Sequence, residues 1–219
     1  MTIVTTARVP CASKESRQKA LAAFRKIIEY SQANEPGVLR YIVTLPVDDS
    51  NEKDIYMIEE YADHAALNAH LNAPPVLDLI ALFGQPGALA GAPDVYNLTP
   101  SIDFARPELR SLSLEKKPAV VMANFGFKAS TLSHAVEGWG ELIAYSEKTE
   151  PQTWGYTVME DNQSNMLRTV EVYESWEFVK GVHLKSQAIK ANAEHNGKDR
   201  TGEIGAVELK AVDGFFGRS

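Results

Sequence analysis

The sequence predicts an α+β fold: two ferredoxin-like β-α-β-β-α-β repeats in tandem, packed sheet to sheet inside one chain. Three observations carry this. The first is an internal match without gaps between residues 20–43 and 135–158. Its identical pairs are Ala20/Ala135, Ile28/Ile143, Tyr30/Tyr145, Ser31/Ser146, Glu35/Glu150, Pro36/Pro151, Tyr41/Tyr156 and Val43/Val158. The offset then slips slightly, and Glu59, Tyr61, His70 and Leu71 fall on Glu171, Tyr173, His183 and Leu184. The second is that hydrophobic periodicity switches between strand and helix spacing in the same order in both halves. The third is physical: one such half covers only one face of its sheet with helices, and a tandem copy is the economical cover for the other.

In the first half, Thr2 to Val9 is a β-rich run, and Ser13 caps a helix to about Ala33. Leu21, Phe24, Ile27, Ile28 and Ser31 make its apolar stripe. Glu35-Pro36-Gly37 is a turn, because the residue before proline avoids the helical region. Val38 to Leu45 and Asp54 to Tyr61 are strands joined by the turn Asp48-Asp49-Ser50-Asn51. Asp63 is an N-cap for the helix Ala65 to Asn72, Pro74-Pro75 starts a shorter one to Phe83, and Tyr96 to Phe104 is the closing strand. In the second half, Ala119 to Phe127 is a strand and Ser130 caps a helix to about Glu147. Thr153 to Glu160 and Met166 to Tyr173 form a hairpin, Ser175 opens a long helix to about Asn196, and Ala206 to Val212 is the last strand. The expected division is repeat one over 1–104, a polar, proline-flanked linker over 105–118, and repeat two over 119–219.

The chain has 219 residues, with 22 Lys and Arg against 29 Asp and Glu, a net charge of −7. So acidic a chain with no basic block argues against nucleic acid and anionic membranes as partners. No run approaches the ~18 apolar residues of a membrane span, and the N-terminus lacks a secretory signal. The single cysteine, Cys11, excludes an internal disulfide and a Cys-ligated zinc site, so a cytoplasmic location is expected. No Gly-x-Gly-x-x-Gly or P-loop occurs, so no nucleotide cofactor is implied.

The run from Glu35 to Pro75 is similar to the antibiotic biosynthesis monooxygenase family of dimeric α+β barrels. The matching residues are Glu35, Pro36, Gly37, Tyr41, Glu59, Tyr61, Asp63, Ala66, Leu67, His70 and Leu71. The second half resembles it through Glu150, Pro151, Tyr156, Glu171, Tyr173, Ser175, His183 and Leu184. Members often follow His-Leu with Ser-Pro-His; Asn72-Ala73-Pro74-Pro75 and Lys185-Ser186-Gln187 lack that second histidine. The resemblance implies an intramolecular dimeric α+β barrel with a small pocket in each repeat. It implies a cofactor-free monooxygenase acting on a small, apolar, hydroxylated aromatic or polyketide-like substrate, with molecular oxygen as co-substrate and no metal. An isomerase, cyclase or dehydratase on the same scaffold is the alternative, or a non-catalytic small-molecule-binding protein. The chain would be a monomeric pseudo-dimer or a homodimer.

Such chemistry needs a base, a water-poor cavity and donors for a developing oxyanion. His70 and Tyr61 in the first pocket, and His183, Tyr173 and Asn124 in the second, are the candidate catalytic residues. Tyr41, Trp154, Tyr156 and Trp176 are candidates for contacting substrate. Each histidine equally suits a structural role, tying its helix to the sheet, and the aromatic residues equally suit core packing. Asn124 stands out as a polar residue inside the apolar run VVMANFGF. Asn124, Trp139 or Trp176, and His183 or His195 offer the residue types of haem-degrading relatives, but their spacing does not match, so haem is not expected. Glu59 and Glu171 recur at one strand position and read as structural. All three tryptophans, Trp139, Trp154 and Trp176, lie in the second half, which points to two unlike pockets without saying which is active.

Overall fold

The computed structural model describes residues 1–218, with residues 203 and 204 described by their backbone alone. It contains two compact units. The first comprises residues 1–97, 110–114 and 210–219; the second comprises residues 98–109 and 115–209.

In the first unit, β1 (Ile3–Pro10), α1 (Lys14–Asn34), β2 (Val38–Pro46), β3 (Asp54–Tyr61), α2 (His64–Leu71), α3 (Pro74–Phe83) and β4 (Asp94–Leu98) follow in chain order. The strands lie β4-β1-β3-β2, the ferredoxin-like order. The C-terminal end of β9 (Arg200–Phe215) then adds on beyond β2. Thr5 and Tyr41 both pair with Glu59, so these three side chains stand abreast on one face. Ile3, Val9, Val43, Ile55 and Tyr61 bury that face against Phe24, Ile27 and Ile28 of α1. Val4, Thr6, Ile42 and Ile58 on the opposite face are buried too.

The helix signals read from sequence act as expected. Ser13 accepts from the Ser16 amide in a reciprocal capping box. The Asp63 carboxylate accepts from the Ala66 amide at 2.8 Å, and Pro74 occupies the first turn of α3, where its missing N–H costs nothing. Gly37 is needed by its neighbour, since a Cβ there would stand 2.7 Å from Ala66 Cβ.

The second unit holds β5 (Pro100–Ala105), α4 (Pro107–Arg110), β6 (Ala119–Phe127), α5 (Leu132–Thr149), β7 (Thr153–Asp161), β8 (Met166–Tyr173), α6 (Trp176–Gly181) and α7 (Gln187–Gly197). Its order runs from the N-terminal part of β9 through β6, β8 and β7 to β5. Tyr156 and Val121 pair with Glu171, repeating the arrangement around Glu59.

Several local expectations need correction. The single closing strand expected over 96–104 is two strands: β4 pairs in the first unit, and β5 pairs antiparallel with β7 in the second. The long helix expected from Ser175 is three pieces, α6, a 3₁₀ turn over His183–Lys185, and α7, which Ser186 caps afresh. Ser186 and Ser175 each hydrogen-bond the amide three residues on, so two N-caps in one run divide it. Ser130 has φ 67°, and Thr131 takes the N-cap position without a side-chain bond. The acidic turns are not simply solvated. Asp49 holds the buried Arg17 guanidinium at 2.6 and 2.8 Å, and Asp161 holds the buried Arg168 at 2.8 Å. Each aspartate sits where a buried guanidinium needs its counter-charge.

Candidate functional site

In the first unit α1 ends at Ser31–Glu35, β2 presents Tyr41, β3 presents Glu59 and Tyr61, and α2 presents His70. The His70 ring lies against both tyrosines, with centroids 5.6 Å from Tyr41 and 5.3 Å from Tyr61. Its Nδ1 lies 2.9 Å from Glu35 Oε2, which also accepts from the Ser31 hydroxyl at 2.6 Å. A carboxylate only accepts, so Nδ1 carries a proton, and in the neutral ring Nε2 presents a lone pair. Among the described residues Nε2 makes no hydrogen bond, and His70 lines a cavity of about 240 Å³. Burial keeps this pair away from competing water, with His70 2% exposed.

The rest of the wall is mostly apolar. Phe24, Ile27, Leu67, Val76, Leu79 and Phe83 close it, and Thr5, Tyr41, Glu59 and Asn97 supply the other polar atoms. The Tyr41 and Tyr61 hydroxyls both donate to Glu59. Burial raises the Glu59 carboxyl; the charge of His70 and the bonds from Tyr61 and Tyr41 offset this only in part. Burial, with the Glu59 charge adding to it, also holds both tyrosines above their ordinary range, so they remain hydroxyl donors. Thr5 donates to Asn97 Oδ1 at 2.6 Å, which orients the Asn97 amide and leaves its N–H₂ group to donate.

The second unit repeats the polar set. Tyr156 and Tyr173 donate to Glu171 at 2.8 and 2.7 Å, and Thr169 adds a third bond at 2.7 Å. His183 Nδ1 lies 2.7 Å from Glu150 Oε2. Here, however, Nε2 is occupied, 3.0 Å from the Tyr173 hydroxyl. Burial alone would raise Glu150, but its hydrogen bond to His183 and that ring's charge outweigh burial and hold it below the usual carboxylate range. Trp139 stands at the position of Phe24, and Phe125 at the strand position of Val9. Their rings meet at 4.9 Å, and Trp139 packs on Tyr156 at 5.9 Å. These two larger rings stand at the positions from which Val9 and Phe24 line the first cavity.

The predicted residues therefore fall into three groups. His70 and Tyr41 face the first cavity, and Tyr61 backs Glu59 while fully buried. His183, Tyr173 and Tyr156 form the closed second cluster. Asn124 and Trp154 are not brought into either, and Trp176 packs, partly buried, against the core cluster that holds Tyr156 and Tyr173. Asn124 pairs across to Arg168, three strand positions from the Val121–Glu171 pair, and an odd step puts it on the other face of its sheet. Its Oδ1 accepts from Arg168 at 2.9 Å. A β-bulge between Thr153 and Gly155 sits at Trp154 and breaks the alternation that put it beside Tyr156. Trp176 carries Lys180 over its ring at 5.4 Å. Sequence reasoning missed Glu35, Asn97 and the central role of Glu59. For Glu59 a signal existed: it occupies a core-facing slot, two residues before Tyr61, and recurs as Glu171 before Tyr173. Cys11 is no nucleophile, because burial pushes its thiol up to about 11.

Residues 2–82 match the sequence model described as antibiotic biosynthesis monooxygenase. The match lies within the first repeat. No curated protein matches the chain. Solved structures extend the likeness to the full length of the fold. A candidate monooxygenase from Lactobacillus acidophilus NCFM matches with TM-score 0.78 at 16% identity, covering 99% of this chain and 98% of its own. One from Fusobacterium nucleatum matches with TM-score 0.82 at 16% identity over 98% and 94%. An anthrone oxidase-like protein matches with TM-score 0.68 at 11% identity over 97% and 92%. The stretch similar to the antibiotic biosynthesis monooxygenase model contains His70 and most of the cavity wall. No helix among the described residues is long and apolar enough to cross a membrane.

Glu59 gives a pH test. A carboxyl raised on folding contributes stability below its unfolded value of 4.5, and that contribution is lost as pH rises through the folded value. Glu59→Gln keeps the tyrosine partners and cannot ionise. Its unfolding free energy is expected to stay flatter than wild type as pH rises above about 4.5; equal slopes in urea titrations would reject this.

Proposed function

We propose that the first repeat is the working site, a cofactor-independent monooxygenase for a compact hydroxylated aromatic molecule. One observation carries this: His70 lines the cavity with Glu35 on its Nδ1, and its Nε2 has no hydrogen-bond partner among the described residues. In this reading the substrate hydroxyl, or the acidic C–H beside it, gives its proton to Nε2, and Glu35 stabilises the imidazolium that results. The Asn97 amide is the nearby donor for the substrate oxyanion. The electron-rich anion then reduces O₂ and combines with it. The hydroperoxide eliminates water, so a CH₂ and one O₂ become a carbonyl and one H₂O. The apolar wall keeps solvent from quenching the anion. At about 240 Å³ the cavity is below the roughly 300–1,000 Å³ of drug-sized sites, which favours one or two fused rings over three.

The second repeat, in this reading, is a structural copy whose base is already hydrogen-bonded. A proton-relocating isomerase is the second reading. It is favoured by the pairing of an imidazole with Glu59, a carboxyl that burial shifts toward its protonated form.

Oxygen uptake by chelator-treated protein with naphthols and hydroquinones tests the proposal. Uptake above the protein-free rate, with a product heavier by oxygen, supports it. Conversion under nitrogen at an unchanged rate would replace it with the isomerase. The double variant Val9→Phe, Phe24→Trp installs the second repeat's rings in the first cavity. It is expected to lose turnover and ligand-induced shifts in Tm while staying folded. Retained turnover would move the site elsewhere.

A further inference from the structure

A separate cluster lies in the second unit, on the paired helices α5 and α7. His134 and Glu137 are three residues apart on α5 and therefore share one face. His195 of α7 lies over them. Ligand atoms of His134, Glu137 and His195 all come within 4.8 Å of one another, the one such group among the described residues. We infer that His134, Glu137 and His195 form a binding site for a divalent transition-metal ion, with Asp199 as its outer partner.

Four features fit a ligand set better than a chance surface cluster. His195 Nε2 lies 2.9 Å from the His134 carbonyl, which fixes the proton on Nε2 and leaves Nδ1 as a lone pair. A backbone carbonyl on the far nitrogen is the usual second partner of a metal-bound imidazole. The ring is also seated: a Cβ on Gly138 would meet His195 Cδ2 at 2.6 Å, so glycine is what lets α7 place the imidazole against α5. The two rings stack at 4.2 Å and 12°, which holds them side by side across the two helices. Last, Asp199 Oδ2 lies 3.4 Å from His134 Nδ1, which has no hydrogen-bond partner, so Asp199 can orient that ring for coordination through Nε2.

Tetrahedral ligation at ~2.0–2.1 Å sets ligand atoms roughly 3.3 Å apart, so the cluster must contract and the stack must open. His134, at 39% side-chain exposure, and the exposed Glu137 can rotate to do so, while His195 stays on its glycine seat. Two imidazoles and one carboxylate select Zn²⁺, Co²⁺ or Ni²⁺ over Mg²⁺ or Ca²⁺, with water in the remaining position. The ion would tie α7 to α5 in the second unit and takes no part in the chemistry assigned to His70.

The test is a Co²⁺ titration of the chelator-treated, untagged full chain followed by visible absorption, with Zn²⁺ competition and Tm measured in parallel. One saturable site in the low micromolar range, displaced by Zn²⁺ and raising Tm, is expected. His195→Ala and His134→Gln should each weaken it at least tenfold and Glu137→Gln by less, while His64→Ala, on an exposed position of α2, leaves it unchanged. His134→Gln keeps the test decisive if His195→Ala fails to fold. Absence of saturable binding, or equal affinity in His134→Gln and wild type, overturns the assignment. So does equal binding of Mg²⁺.

Discussion

Replacing His70 by alanine is expected to lower kcat/KM for the oxygenated substrate by at least two orders of magnitude, while His183→Ala leaves it within a few-fold of wild type. The two histidines occupy equivalent positions, and each has a glutamate on Nδ1. They differ at the other nitrogen. His70 lines the cavity and its Nε2 has no hydrogen-bond partner among the described residues, whereas His183 Nε2 is bonded to Tyr173 at 3.0 Å. Loss of a positioned general base costs about 10²–10⁴ in rate. Loss of a histidine inside this network costs stability instead, because buried Glu150 loses its imidazole partner and the Tyr173 hydroxyl loses one of its two bonds. That penalty is about 3 kcal/mol, or roughly 6–12 °C in Tm for a chain of this size. The expected pattern is a crossing: activity falls in one variant and Tm falls most in the other. Equal losses of activity in both would show that the repeats share the work.

The largest stability effect is expected at Gly214. Its φ is +113°, a region that side chains rarely adopt, and an added Cβ would stand 2.0 Å from the Tyr41 carbonyl oxygen and 2.9 Å from Ile42 Cα. Those atoms are backbone of β2, so no rotamer change relieves the clash. Gly214→Ala is expected to cost more than about 4 kcal/mol, in the range reserved for direct steric conflict. Gly87→Ala is the matched control. It has φ +77° with nothing within 4 Å, so only the backbone preference is lost, about 1–2 kcal/mol. Urea unfolding of both variants measures the difference, and similar midpoints would refute the close approach. Because Gly214 abuts the residue that carries the Tyr41 hydroxyl, any surviving Gly214→Ala protein should also bind ligand more weakly.

Much of the fold was legible from sequence because its signals are local. Ser13, Asp63 and Pro74 act within one helical turn, and Glu35-Pro36-Gly37 acts within one chain reversal. The repeat was legible because eight identities kept their order. What escaped depended on contacts distant in sequence or on one-residue shifts. Asn97 reaches the cavity by its bond to Thr5, 92 residues away. Trp154 left its expected face through a single-residue bulge, which alternation cannot foresee. Glu35 looked like part of a turn, and only folding brings it to His70, 35 residues on. The pocket difference was half visible. The excess of tryptophan in the second half was on the page, but Trp139, rather than Trp154 or Trp176, is the one that faces the equivalent site.

One pair of arginines carries a consequence for the order in which the molecule can be completed. Arg106 donates to the carbonyls of Thr153, Ser146, Glu147 and Glu150, gathering the end of α5. Arg218 does the same for α1, donating to Val38, Gln32, Ser31 and Glu35. The helix end that holds the glutamate of His70 is thus tied down by a residue 183 positions later in the chain. On the ribosome, the second repeat has its arginine before its own helix is made, while the first must wait for residues 210–218 to emerge. The cavity that bears the open base is therefore the last to be finished, and contacts of such long sequence separation are the slow ones to form. A nascent or truncated chain would carry a folded, closed second site and an unfinished first one.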